Sequence, residues 1–204
     1  MSLRPKAVRL LAAIGPVVLL LGCGQPDLRE LPRDATVVAF GDSLTFGTGA
    51  GRGRGYPEVL AQRTGLKVVN AGAPGELSAD GLRRLPGVLA EHHPSLVILC
   101  HGGNDLLRGG GDASLARNLA AMITLARDSG SQVLLVAPPQ PRITMKPPSL
   151  YQQVADELGV PCDAETLPRI MGTPAMMGED IHPNARGYAE LARVLTGRIR
   201  VRRD

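Results

Sequence analysis

Short, wholly apolar runs alternate along this chain with longer segments in which apolar residues recur every three or four positions. Thr36–Phe40 (TVVAF), Lys67–Asn70 (KVVN), Ser95–Cys100 (SLVILC) and Gln132–Ala137 (QVLLVA) are bounded by Gly, Pro and Asp. They read as strands buried on both faces, with a weaker fifth at Val160–Cys162. Tyr56–Arg63, Ser78–Glu91, Ser114–Asp128, Leu150–Leu158 and Ala185–Leu195 read as the intervening helices. In the third of these, Leu115, Leu119, Met122, Ile123 and Ala126 form one stripe. Asp112 and Asn184 are expected N-caps, and Gly130, Gly159 and Gly197 expected stops. Such alternation implies right-handed crossovers and a three-layer α/β/α sandwich on a flavodoxin-like parallel sheet of about five strands.

The first two dozen residues follow a different pattern. Arg4, Lys6 and Arg9 precede the apolar run Leu10 to Leu21. The run is short for a bilayer span, which needs about 20 residues, but has the length of a signal peptide. It ends in Leu20-Leu21-Gly22-Cys23, which resembles the bacterial lipobox. That resemblance implies cleavage before Cys23, lipid attachment to its thiol, and an exported protein anchored to the bacterial envelope. Gly24 in place of Asp after the Cys favours the outer membrane, facing the periplasm. Residues 1–22 are thus expected as signal, 23–33 as lipidated Cys and tether, and 34–204 as one domain.

Composition adjusts this picture modestly. Aromatic residues make up 2% of the 204 and Trp is absent, so the core must be built from Leu, Val, Ile and Ala. The chain carries 23 basic and 19 acidic residues. Three of the basic ones lie in the signal, so the remainder has a net charge of about +1, and nucleic acid is not an expected partner. Export permits a disulfide, yet Cys100 and Cys162 fall on strands not expected to be neighbours and read as separate thiols. Cys-x-x-Cys pairs and clustered His/Cys are absent from the sequence, and no metal site is suggested.

The chemistry-bearing residues sit at strand ends. Gly41-Asp42-Ser43-Leu44 follows the first strand, putting a Ser hydroxyl at the carboxyl edge of the sheet beside a helix N-terminus. Asn70-Ala71-Gly72 ends the second strand, Gly102-Gly103-Asn104-Asp105 follows the third, and Ile181-His182-Pro183-Asn184 precedes the last helix. A Ser hydroxyl needs a base to become nucleophilic, and His titrates near working pH. A tetrahedral oxyanion needs converging donors, for which the Ser43 and Gly72 N–H groups and the Asn104 amide are candidates.

In this order the four blocks (GDSLT, NAGAPGELSADGLRRL, VILCHGGNDLLRG and IHPNARGYAELA) resemble the SGNH (GDSL) hydrolase superfamily, closest to its arylesterase and thioesterase-lysophospholipase branch. The resemblance covers roughly residues 35–197. It implies hydrolysis of a small ester or thioester through an acyl-serine, without cofactor, with Ser43 as nucleophile and His182 as base. The family carries Asp three residues before the His, whose role is to orient the imidazole. Here that position is Glu179, and Asp180 lies one residue closer; both remain candidates. The family commonly has Ser where this chain has Pro74, which implies a changed loop shape.

Other features carry less. Gly47–Gly55 (GTGAGRGRG) lacks both dinucleotide and phosphate-loop spacing and reads as a flexible loop, with Arg52 and Arg54 able to attract an anion. His92 and His93 read as solvated, and His101 as either pocket-lining or buried. The proline-rich Pro138–Pro148 reads as a rim or lid. Two further functions stay open: an O-acetyl esterase of polysaccharide or peptidoglycan, and an envelope lipoprotein with a relict site.

Overall fold

The computed structural model describes residues 26–140, 145–178 and 180–202. The expected signal at residues 1–22, the expected lipidated Cys23, residues 141–144 of the proline-rich loop and Glu179 lie outside the described residues. The sheet has five parallel strands in the order β2-β1-β3-β4-β5: β1 Thr36–Gly41, β2 Lys67–Gly72, β3 Leu96–Cys100, β4 Gln132–Val136 and β5 Cys162–Asp163. This is the doubly wound arrangement read from the alternation, and its switch point lies between β1 and β3.

Strand side chains alternate between two cores. Val37, Ala39, Leu96 and Ile98 face one layer, formed by α2 (Tyr56–Thr64), α7 (Thr166–Met171) and α8 (Ala185–Arg198). Val38, Phe40, Val97 and Leu99 face the other, formed by α3 (Ser78–His92), α5 (Asp112–Asp128) and α6 (Leu150–Leu158). With both faces covered, the central strands read as continuous apolar runs rather than alternating ones. The α5 stripe of Leu115, Leu119, Met122, Ile123 and Ala126 is fully buried, as its spacing predicts. Each large side chain in it contributes roughly 1.5–3 kcal/mol.

Several boundaries differ from the sequence reading. Asp112 is the first residue of α5 and Gly111 occupies the cap, so the expected Asp112 cap does not form. Asn184 does cap α8, its side chain accepting from Arg186 N and Gly187 N. Gly197 does not stop α8, which runs on to Arg198. β5 starts at Cys162 rather than Val160, because the Val160 N–H is already donated to Ala155 O at the end of α6. Three short helices lie outside those read from the sequence: α1 (Ser43–Phe46), of which only the N-terminus was expected, α4 (Gly103–Leu107) and α7.

The expected tether is also shorter than its assigned span. Leu28 and Leu31 are buried in the core. Leu31 bridges Val201, its N–H donating to Arg200 O and its carbonyl accepting from Arg202 N. Two apolar side chains in an otherwise polar decapeptide explain the docking. Cys100 and Cys162 are separate buried thiols on β3 and β5, with β4 between them.

Candidate active site

Ser43 is the first residue of α1, directly beyond the carboxyl end of β1. Gly41 makes this turn possible: a Cβ there would lie 1.9 Å from Cys100 O. Asp42 is buried and caps α1, its Oδ1 accepting from Leu44 N at 3.0 Å. Burial raises its carboxyl above the ordinary range, opposed first by the nearby His101. The Ser43 hydroxyl is left half-buried at the edge of the sheet.

His182 reaches that hydroxyl from the opposite wall, with Nε2 at 2.9 Å from Ser43 Oγ. Its loop is closed by a bridge between Met177 and Pro183, by Gly178 N donating to His182 O, and by the Asn184 side chain donating to Ala175 O and Met177 O. Tyr188 of α8 donates to Thr48 O, tying the glycine-rich loop to the same wall. Burial lowers the imidazole pKa below its usual value, against a smaller opposing effect of Asp180. A neutral ring accepting from Ser43 at Nε2 carries its proton on Nδ1. That Nδ1 is buried and has no hydrogen-bond partner among the described residues. Asp180 is exposed, and Glu179 lies outside the described residues.

Asn104 lies in α4, four residues past the end of β3, and lines the same cavity as Ser43. Its Nδ2 donates to Glu76 O at 3.0 Å and, at a longer 3.5 Å, to Asp42 Oδ2. Gly72 does not join this group. Its N–H is turned back to Asn70 Oδ1 at 3.1 Å, and a Cβ there would lie 2.2 Å from Phe46 N. Gly72 therefore lets α1 pack on β2, and the expectation that it faces the cleft is corrected. In this stretch the glycine that lines the cleft is Gly75, three residues on, and its N–H has no partner among the described residues. The signal was available in the same stretch, where Gly75 follows Pro74 beyond the strand end. His101 is fully buried and outside the cleft lining.

The cleft is a cavity of about 270 Å³. Leu44, Pro74, Leu107, Pro138, Met171 and Ile181 supply its apolar wall around Ser43, Asn104 and His182. Pro138 and Pro139, at the start of the proline-rich loop, form part of its rim.

The model of the GDSL-like Lipase/Acylhydrolase family matches residues 39–190. This chain belongs to that family. Esterase TesA of Pseudomonas aeruginosa is 38% identical over 178 residues, covering 81% of this chain and 89% of that protein. Thioesterase 1/protease 1/lysophospholipase L1 of Escherichia coli K12 is 31% identical, covering 73% and 76%. A crystal structure of TesA superposes with a TM-score of 0.69 at 32% identity, over 79% of this chain and 97% of that one. The psychrotrophic esterase EstA of Pseudoalteromonas sp. superposes at 0.68 with 27% identity, over 79% and 93%. As a GDSL-like acylhydrolase the chain is a carboxylic ester hydrolase, on the fold its relatives share.

Proposed function

We propose that this acylhydrolase cleaves acyl esters or thioesters by the following sequence. Ser43 Oγ attacks the carbonyl carbon while His182 Nε2 takes the hydroxyl proton. The tetrahedral oxyanion is held by the N–H groups of Ser43 and Gly75 and by the Asn104 amide. Collapse breaks the bond to the leaving oxygen or sulfur, which departs with the proton from Nε2. Water then attacks the acyl-serine, giving its proton to the same nitrogen, and the acid is released with Ser43 restored. The observation that carries this reading is the 2.9 Å contact between Ser43 Oγ and His182 Nε2 at the wall of an apolar cavity.

The unpartnered Nδ1 calls for a carboxylate acceptor. We assign that role to Glu179, which stands three residues before His182, in preference to the exposed Asp180. The apolar cavity wall favours acyl chains over glycan acetates, in keeping with relatives named arylesterase and thioesterase/lysophospholipase. Each buried methylene contributes about 0.8 kcal/mol, close to fourfold in kcat/KM. Across p-nitrophenyl esters of rising acyl length, kcat/KM should climb by about that factor per methylene until the cavity fills. Ser43→Ala should abolish turnover at every length with folding intact. Full activity in that variant would refute the reading, and a preference for acetylated glycans would redirect it.

Residues 1–22 are proposed as a signal and Cys23 as the lipidated residue of an envelope-anchored enzyme. The chain enters the folded body through Leu31, packed on Val201 at the edge where β1 starts, whereas Ser43 lies where β1 ends. An anchor there would leave the cleft facing away from the membrane. Metabolic labelling with a fatty acid should mark the wild type and not Cys23→Ala; equal labelling of both would overturn the anchor.

A further inference from the structure

Glu76, Arg84 and His101 form a part-buried cluster that the catalytic sequence above does not use. Glu76 receives two hydrogen bonds from Arg84, Nε to Oε1 at 2.8 Å and Nη2 to Oε2 at 2.7 Å. Its Oε2 also lies 3.1 Å from His101 Nε2. Arg84 Nη2 donates further to Ala71 O and Gly41 O, and its guanidinium stacks 4.2 Å above the Phe40 ring. His101 Nδ1 accepts the Gly102 N–H at 2.9 Å. Its proton is therefore on Nε2, donated to Glu76. Gly81 leaves room for this ring, since a Cβ there would lie 2.4 Å from Nε2.

Three contacts of this cluster lead towards the groups proposed to hold the oxyanion. Glu76 immediately follows Gly75, and its own carbonyl accepts the Asn104 amide. His101 holds the Gly102 N–H at the turn from which α4 and Asn104 project. Arg84 grips the carbonyl of Gly41, two residues before Ser43. One carboxylate thus joins the ends of β1, β2 and β3, each of which supplies one proposed donor.

We infer that Glu76, clamped by Arg84 and His101, is the positioning residue that sets the distance between the Gly75 and Asn104 donors of the oxyanion site. The inference rests on the hydrolase reading of Ser43 and His182 and adds to it a residue that never touches substrate. Displacing a catalytic group by about 1 Å can cost on the order of 10²-fold in rate. The loss should fall on the transition state, because the oxyanion forms only there.

The test uses the full folded domain, with p-nitrophenyl butyrate as substrate and an alkyl trifluoromethyl ketone as mimic of the tetrahedral state. Glu76→Ala should lower kcat by about 10²-fold, and Glu76→Gln, which can keep some of the clamp, by about tenfold. In both, KM should stay within about threefold while the ketone inhibition constant rises in parallel with the loss in kcat/KM. The pH profile should keep its shape at a lower plateau, since Arg84 and His101 hold the Glu76 carboxyl down to about 2, charged throughout the assay range, with burial opposing them. His101→Gln, which retains one donor and one acceptor, should restore most of the activity that His101→Leu loses. If Glu76→Ala is too unstable to purify, Glu76→Gln and the His101 pair decide the matter. Unchanged kcat and ketone affinity in folded Glu76→Gln and His101→Leu would overturn the inference, as would a rise in KM alone. Retained turnover in Ser43→Ala would instead sink the hydrolase reading, so the two failures are distinguishable.

Discussion

On one side of the Ser43 hydroxyl, Asn104 is fixed through Glu76 O, and beneath it a carboxylate, a guanidinium and an imidazole satisfy one another's donors and acceptors. On the other side, His182 is held by the backbone of its loop, with Nδ1 buried and unpartnered among the described residues. The two walls do different electrostatic work. In the proposed mechanism the Asn104 wall meets charge that appears only in the transition state, so its dipoles must be aimed before reaction begins. The base must accept a proton and return it twice per turnover, which needs a ring balanced near neutrality more than one gripped from all sides. An unsatisfied buried N–H costs roughly 1–3 kcal/mol. A carboxylate acceptor at Nδ1, proposed above as Glu179, would remove that cost.

The sharpest way to break this contrast is to remove a donor from the rigid wall. Asn104→Ala should lower kcat by about 10²–10³-fold with little change in KM. A change in KM alone would mean that Asn104 binds ground-state substrate. The next largest effect belongs to the other wall. Glu179→Gln should lower kcat by roughly ten- to a hundredfold, through loss of imidazole orientation, whereas Asp180→Asn should change it by less than about threefold. A reversed order, read from the same initial-rate assay, would hand the orienting role to Asp180.

The smallest effect concerns pH. Burial lowers the His182 pKa, and it does so more than Asp180 raises it. Protonated His182 cannot accept from Ser43, so kcat/KM should rise with pH through one ionisation below about 6.5 and be flat above it. Asp180→Asn removes the opposing charge and should move that midpoint lower still. A flat profile across that range, or an upward move of the midpoint in the variant, would contradict the assignment of His182 as base.

The fold was nearly complete in the sequence, because buried strands and amphipathic helices each impose a period that survives in one dimension. Val37 to Phe40 and the Leu115–Ala126 stripe are legible from spacing alone. Ser43, Asn104 and His182 were legible for a related reason, since each directly follows a strand or precedes a helix and strand ends share one edge. What escaped depends on the path of the chain after the strand. Gly72 ends β2 and Gly75 stands three residues on, and only the turn between them decides which glycine lines the cavity and which returns its N–H to Asn70. Glu76 precedes α3, Arg84 lies within it and His101 follows β3, with no shared periodicity, so their cluster is a product of tertiary packing. Leu31 likewise looks like linker until Val201 is seen beside it.

The most direct test of the whole account is the mass of the purified mature domain after reaction with an alkyl fluorophosphonate, followed by peptide mapping. One phosphonyl adduct per chain on Ser43 is predicted, forming slowly in His182→Ala and not at all in Ser43→Ala. An adduct on any other residue, or none under conditions where esters are still turned over, would contradict it.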